Sequence, residues 1–276
     1  MRKKAGSLIL LFCLPICFGC FKEKFYGLLT WEEYYNQHRL EPYILEIKIS
    51  KGGLLYYGSY HTANLRSPII EDIEGKIKKF KPTLILSEGG IWPLIKSRRD
   101  AVRNYGEQGL LRYLAYQEGI PIKSIEPRKT QEIMHLLKFI SQEKIKIFYV
   151  LRQSAINQML KRDHHILDDA KIIFNNLIKL KPFQRYPYTF NDLEERINRL
   201  FPELESWQRI PAHWFCSGKF KTWLNKTSRI VNDFRNQHML KTIIKELKKG
   251  KKVFAVVGRS HVVMQEPVLR SLMIDY

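Results

Sequence analysis

Two histidines and one glutamate stand where apolar runs break into glycine. Tyr56-Tyr57 leads into Gly58-Ser59-Tyr60-His61, Leu84-Ile85-Leu86-Ser87 leads into Glu88-Gly89-Gly90, and Phe254 to Val257 leads into Gly258-Arg259-Ser260-His261. Imidazole nitrogen and carboxylate oxygen together suit a divalent transition metal with positions left open for water. Such a metal lowers the pKa of bound water and polarises a carbonyl. His61 and His261 then read as ligands, and Glu88 as third ligand or as the base that takes the water proton. Without a metal, His61 alone would activate water and Glu88 would orient it. The plainer alternative is that both histidines cap loops or helix N-termini, and that Glu88 complements the turn at Gly89-Gly90.

These residues need a scaffold that brings three distant segments together. Tyr43 to Ile49 alternates apolar and polar residues, the pattern of a half-buried strand, and Lys51-Gly52-Gly53 turns the chain into a second strand at Leu54 to Tyr57. Pro68 to Phe80 has helical spacing with a Lys-rich end. Thr83 to Leu86 and Ile122 to Ile125 read as short buried strands, with a helix over Gly109 to Gln117 between them, closed by Gly119 and Pro121. Val253 to Val257 is the clearest buried strand, Arg229 to Lys248 a long helix capped by Thr227 or Ser228 and stopped by Gly250, and Pro267 to Met273 a last helix. From Thr130 to Phe201 the spacing is helical throughout, broken at Pro182 and Pro187. The expected fold is α/β: a mostly parallel central sheet flanked by helices, with a largely helical insertion at about 130–227. Open parallel sheets bind ligands at the carboxyl ends of their strands, so neighbouring strands would put both imidazoles and the carboxylate in one cleft.

Gly58–His61, Glu88, the stretch Asp233-Phe234-Arg235-Asn236-Gln237-His238-Met239 and Val256–His261 together resemble the TraB/GumN/Tiki family, part of a wider group that includes erythromycin esterase-like and ChaN-like proteins. The resemblance covers the body from about residue 43 onward. Ser59 stands where Thr is usual, and Arg259 and Ser260 where small residues are common. Tiki-type relatives are metal-dependent peptidases, so the resemblance implies a hydrolase of peptide or protein substrates with Mn, Co or Zn held by His61, Glu88 and His261. Glu88, His61 and Arg235 would be the catalytic set, with Arg235 stabilising an oxyanion or serving as a structural salt bridge to Asp233 or Glu88. Esterase-like relatives imply a metal-independent hydrolase. ChaN-like relatives imply a ligand- or haem-binding or regulatory surface protein, for which Tyr56, Tyr57, Tyr60 and Trp92 are the aromatic candidates.

The chain has 276 residues, 45% hydrophobic and 27% charged, which excludes disordered and fibrous classes. Arg2, Lys3 and Lys4 precede an apolar run from Leu8 to Phe18 that ends in Gly19-Cys20. This reads as an export signal over residues 1–20, resembling a lipobox with Cys20 as the lipidated residue. Residues 21–276 then form one body, held at the membrane of the cell envelope by a lipid anchor; a retained anchor and plain secretion are the alternatives. The remaining thiol, Cys216, has no partner left for an internal disulfide. A net charge of +20 and the run Lys245 to Lys252 fit contact with an anionic surface, and an exported protein does not meet nucleic acid. His164-His165 with Asp168-Asp169 reads as an exposed polar face, His213, Trp214 and Cys216 as packing. Glu126-Pro127-Arg128 either lines the cleft or makes a turn salt bridge.

Overall fold

The computed structural model describes residues 27–37, 42–159, 165–184, 188–218 and 222–271. The expected export signal with Cys20, and also His164, Pro187 and Met273, lie outside the described residues. Five strands form one sheet in the order β1-β2-β5-β3-β4: β1 (Tyr43–Lys48), β2 (Gly53–Ser59), β3 (Leu84–Ser87), β4 (Ile122–Ser124) and β5 (Lys252–Gly258). β1 pairs antiparallel with β2, and all other pairings are parallel. The chain is therefore α/β with a mostly parallel sheet. Edge strand β1 buries Leu45 and Ile47 while Glu46 and Lys48 face water, the alternation of a one-sided strand. Central β5 buries Val253 to Val257 completely, as a strand covered on both faces must.

Nine helices occur among the described residues: α1 (Trp31–Tyr35), α2 (Pro68–Phe80), α3 (Arg98–Gln117), α4 (Lys129–Leu136), α5 (Gln142–Met159), α6 (Ile166–Ile178), α7 (Phe190–Leu200), α8 (Trp223–Leu247) and α9 (Arg259–Ser271). Three differ from the sequence reading. α3 starts eleven residues before Gly109, because Ser97 caps it by accepting from the Asp100 N–H; ahead of Tyr105 it buries only Ala101 and Val102, too few apolar positions to show as a stripe. α8 starts at Trp223, where Thr222 and Asn225 form a capping box. Thr227 and Ser228 are helix interior, not caps, and the Thr227 hydroxyl donates back to the Trp223 carbonyl. α9 runs straight out of β5, with Pro267 inside it. Proline favours a first helical position, and that preference misplaced the start of this helix.

Between β4 and α8 no strand occurs among the described residues, and α4 to α7 enclose a core of their own around Phe148, Phe174, Ile197 and Trp207. A second core fills one face of the sheet, and a third lies under α2 and α3 on the other. α8 belongs to two of these. Leu224 and Val231 join the helical core, while Met239, Leu240, Ile243 and Leu247 join the sheet core. Arg235 and Asn236 sit between the two sets, at the seam.

The helical core contains one uncomfortable cation. Lys146 is fully buried and its Nζ has no hydrogen-bond partner among the described residues, lying 3.6 Å from the centroid of the Tyr188 ring. Burial, partly opposed by Glu143, pushes its amine down from 10.5 to about 8. The folded state thus holds this proton more weakly than the unfolded chain, so stability rises as pH climbs from about 8 to 10.5. Lys146→Met should raise stability at pH 7 by roughly 1–3 kcal/mol, and the gain should shrink above pH 8. Thermal melts at pH 7 and pH 10 check this; an equal or lower midpoint for the variant at pH 7 would contradict it.

Candidate functional site

β5 lies between β2 and β3, so the three expected strand ends open on one edge of the sheet. After β2 the chain leaves through His61, whose φ of +57° places it in the left-handed region, rare for a side-chain-bearing residue and costing about 1 kcal/mol. Its N–H donates to Ser59 Oγ at 3.0 Å. Glu107 grips the rest of the turn: one carboxylate oxygen lies 2.6 Å from His61 Nδ1, and the other accepts the Thr62 N–H at 3.0 Å. Glu107 reaches this position because α3 is interrupted at Tyr105 and Gly106. Gly106 has φ +59°, and a Cβ there would stand 2.6 Å from the Thr62 carbonyl, so only glycine allows the kink to press against the His61 turn. The next residue, Gln108, accepts from the Glu88 N–H and donates to the Val256 carbonyl, each at 3.1 Å, which ties the end of β3 to β5.

His261 occupies the first turn of α9 and is buried. Its Nδ1 lies 2.7 Å from Asn236 Oδ1, which also accepts from Gln265 Nε2 at 2.8 Å. That second donor fixes the amide orientation, so Nδ1 carries the proton and Nε2 presents a lone pair. Tyr56, fully buried, donates to Gln265 Oε1 and completes the relay. His261 Nε2 stands 3.7 Å from Glu88 Oε1, and His61 Nε2 stands 3.8 Å from Glu88 Oε2. All three groups surround the space over Gly258. A Cβ at that residue would meet His61 Nε2 at 3.0 Å, Glu88 Oε2 at 3.8 Å and His261 Cδ2 at 3.8 Å.

Glu88 itself is held by the Gly258 N–H at 2.6 Å and by Arg235 Nη2 at 2.5 Å. Arg235 is in turn clasped by Glu126, through Nε at 2.8 Å and through Nη2, and its Nη1 donates to Asn232. Burial works against the Glu88 charge, but Arg235 and both histidines outweigh it and hold the carboxyl near 2. Burial, with the Arg235 cation added, drives His261 down to about 3, so it is neutral. Burial also opposes charge on His61, yet the Glu107 hydrogen bond and the Glu88 and Glu107 charges prevail and push it up to about 9. That pairing contributes stability fully present below 6.5 and lost as pH rises through 9; the ring is 56% exposed, so water screens it.

His61, Glu88, His261 and Arg235 are therefore brought together. Arg235 pairs with Glu88 rather than with Asp233, which accepts from Trp31 and faces Arg229. Glu126 both pairs with Arg235 and lines the adjoining cavity. Glu107, Gln108 and Gln265 escaped the sequence reading. Gln265 was within reach, since it lies one helical turn after His261; Glu107 and Gln108 fall just before the helix expected over Gly109 to Gln117. Of the aromatic candidates, Tyr56 and Tyr57 are core, while Tyr60 is exposed and Trp92 packs on Tyr105. Asp168 and His165 are exposed. Trp214 and Phe215 pack against the helical core, whereas His213 is exposed, and Cys216 is a free thiol 2.9 Å from the Tyr35 hydroxyl.

Among the described residues no group of three or more His, Cys, Asp or Glu side chains is placed so that it could hold a metal ion. The donors nevertheless fit a divalent metal in type and direction. His61 and His261 have their Nδ1 atoms occupied by an oxygen acceptor, the usual bracing of a ligating imidazole, and turn Nε2 toward one carboxylate. Separations of 3.7 and 3.8 Å exceed the spacing of ligands bound at about 2 Å by a few tenths of an ångström, and both imidazoles would have to approach the carboxylate to share an ion. Comparison with protein-family models, curated proteins and solved structures returns no match. No helix among the described residues is long and apolar enough to cross a membrane.

The Glu107 clasp makes a direct prediction. Glu107→Gln should lower the His61 titration midpoint by at least about one unit, because a neutral amide replaces the charge nearest the ring. NMR titration of the imidazole carbon-bound protons reads this; an unmoved midpoint would remove Glu107 from the electrostatics of the site.

Proposed function

We propose that this chain is a hydrolase of peptide or related bonds, exported and lipid-anchored through Cys20, that works with a divalent transition metal (Mn, Co or Zn) held by His61, Glu88 and His261. One observation carries the reading: both imidazole Nε2 atoms stand within 3.8 Å of one deeply ionised carboxylate, with His61, Glu88 and His261 all bordering the space over Gly258. When bound there, such a metal would lower the pKa of a water and polarise the scissile carbonyl. The motif resemblance to the TraB/GumN/Tiki family supports the same reaction class.

The roles of the chain's own residues follow from their contacts. His261, neutral and fixed in one tautomer by Asn236 and Gln265, supplies a lone pair at neutral pH without first losing a proton. Glu88 remains anionic throughout the physiological range and is a ligand or an acceptor for a water proton. Arg235 has its donors committed to Glu88, Glu126 and Asn232, so we assign it to holding Glu88 ionised and oriented, a positioning role, in place of oxyanion stabilisation. His61 is the exposed member and carries the proton that metal must displace.

A second reading, metal-independent hydrolysis with His61 as base, has the 2.6 Å Glu107–His61 pair in its favour. A base held near 9 is protonated at neutral pH, so that reading requires activity that survives chelator and rises through pH 9. The metal reading requires the opposite: chelator abolishes hydrolysis and Mn, Co or Zn restores it. Calorimetric titration with Zn at pH 7, repeated in two buffers of different ionisation enthalpy, should show about one proton released per ion. His61→Ala and His261→Ala should each weaken binding at least about tenfold; unchanged affinity in both variants would end the metal assignment.

A further inference from the structure

A cavity of about 520 Å³ opens directly beside the cluster, walled by Glu88 and Arg235, by the β4–α4 connection from Ser124 to Lys129, and by Arg152 of α5. Its carboxylates are already answered. Glu88 and Glu126 share Arg235, and Glu132 takes Lys129 at 2.6 Å and the Tyr149 hydroxyl at 2.5 Å. Arg152 is different. It makes no hydrogen bond or ion pair among the described residues, although Glu132 and Glu126 are near enough to be felt. Burial and the Arg235 charge press against its cation, but a guanidinium does not give up its proton in a protein, so an unpaired cation lines the cavity. A planar fork of this kind matches a carboxylate bidentately.

Arg152 and Lys129 also wall a second cavity, of about 410 Å³, on the far side. That one is mostly apolar, lined by Tyr149, Ile156, Ile173, Leu177 and Leu180, with Gln153 and Asn176 as further polar members. A mostly apolar pocket with a few polar groups at one end is the ordinary form of a small-ligand site. The two cavities thus meet at a guanidinium, with the candidate catalytic cluster at one end and an apolar hollow at the other.

We infer that these paired cavities recognise the C-terminal residue of a peptide: its carboxylate on Arg152, its apolar side chain in the Tyr149–Leu180 hollow, and its last amide bond toward Glu88. As a statement about cleavage this rests on the hydrolase reading above; as a statement about binding it does not. In the cleavage, the oxygen of water bonds to the carbonyl carbon of the penultimate residue and the last C–N bond breaks. The released amine leaves with one proton of that water, and the shortened peptide keeps the new carboxyl group.

Binding separates the two claims. The full-length protein is titrated calorimetrically with N-acetyl-L-leucine, N-acetyl-L-leucinamide and N-acetylglycine. The free acid of leucine should bind at least about tenfold more tightly than its amide, the discrimination expected when a charged hydrogen-bond partner is lost. Arg152→Gln should erase that difference. Ile156→Glu, at an exposed rim position that leaves the core intact, should erase the preference for leucine over glycine and serves as the second test should the Arg152 variant misfold. Acid and amide binding alike, or a preference that survives Arg152→Gln, would overturn the inference. Acid-selective binding lost in Arg152→Gln, with no release of C-terminal leucine from peptides, would support the recognition site and defeat the hydrolase reading instead.

Discussion

The Glu88–Arg235 contact, 2.5 Å long and largely shielded from water, is the interaction on which the site depends. Glu88 enters from the sheet and Arg235 from α8, so the pair forms only when the helical core and the sheet core have both docked on that helix. Removing either partner would strand a charge in a poorly solvated place, at a cost of about 3–5 kcal/mol. Glu126 reinforces the arrangement by occupying the other edge of the guanidinium. The orientation of the carboxylate toward both histidines is thus a consequence of how two cores meet.

Each histidine is prepared by a different device. His261 is governed by neutral groups, an amide chain running from Tyr56 through Gln265 to Asn236, so its tautomer is fixed without adding charge beside it. His61 is governed by a carboxylate and by a strained turn. Positive φ at a histidine persists only where surroundings over-determine it, and here Ser59, Glu107 and the tight approach of Gly106 do so together. The result is one buried neutral imidazole and one exposed cationic one, each facing a different oxygen of the same carboxylate. Environments that drive like groups apart in this way mark places where proton or metal chemistry is arranged.

Much of this was legible in the chain because strand ends are local signals. An apolar run followed by glycine and a polar residue identifies β2, β3 and β5 and puts His61, Glu88 and His261 at their carboxyl ends without any knowledge of neighbours. The order β2-β5-β3 was not legible, since β5 returns to pair between strands that lie about two-thirds of the chain earlier. Helix boundaries failed for a related reason. The helix expected from Gly109 extends back to Arg98 through a kink at Tyr105 and Gly106, and the packing that rewards this, against the Thr62 carbonyl, belongs to another segment. Arg152 looks in sequence like any cation on a helix; only the cavities on either side of it make it distinctive.

Charge balance ties the cluster to its proposed cation. Three carboxylates, Glu88, Glu107 and Glu126, touch a single guanidinium and two imidazoles, of which His261 is neutral. The proton on His61 removes part of the negative excess but not all of it, and that proton is held only because the excess exists. A divalent ion that displaced the proton would bring the group to neutrality, with the ion's second charge answering the carboxylate the proton leaves uncompensated. Burial makes such neutrality valuable, because unbalanced charge away from water is costly. The same carboxylates that raise His61 toward 9 are thus the ones that would favour exchanging its proton for the proposed cation, so that one local field would govern both.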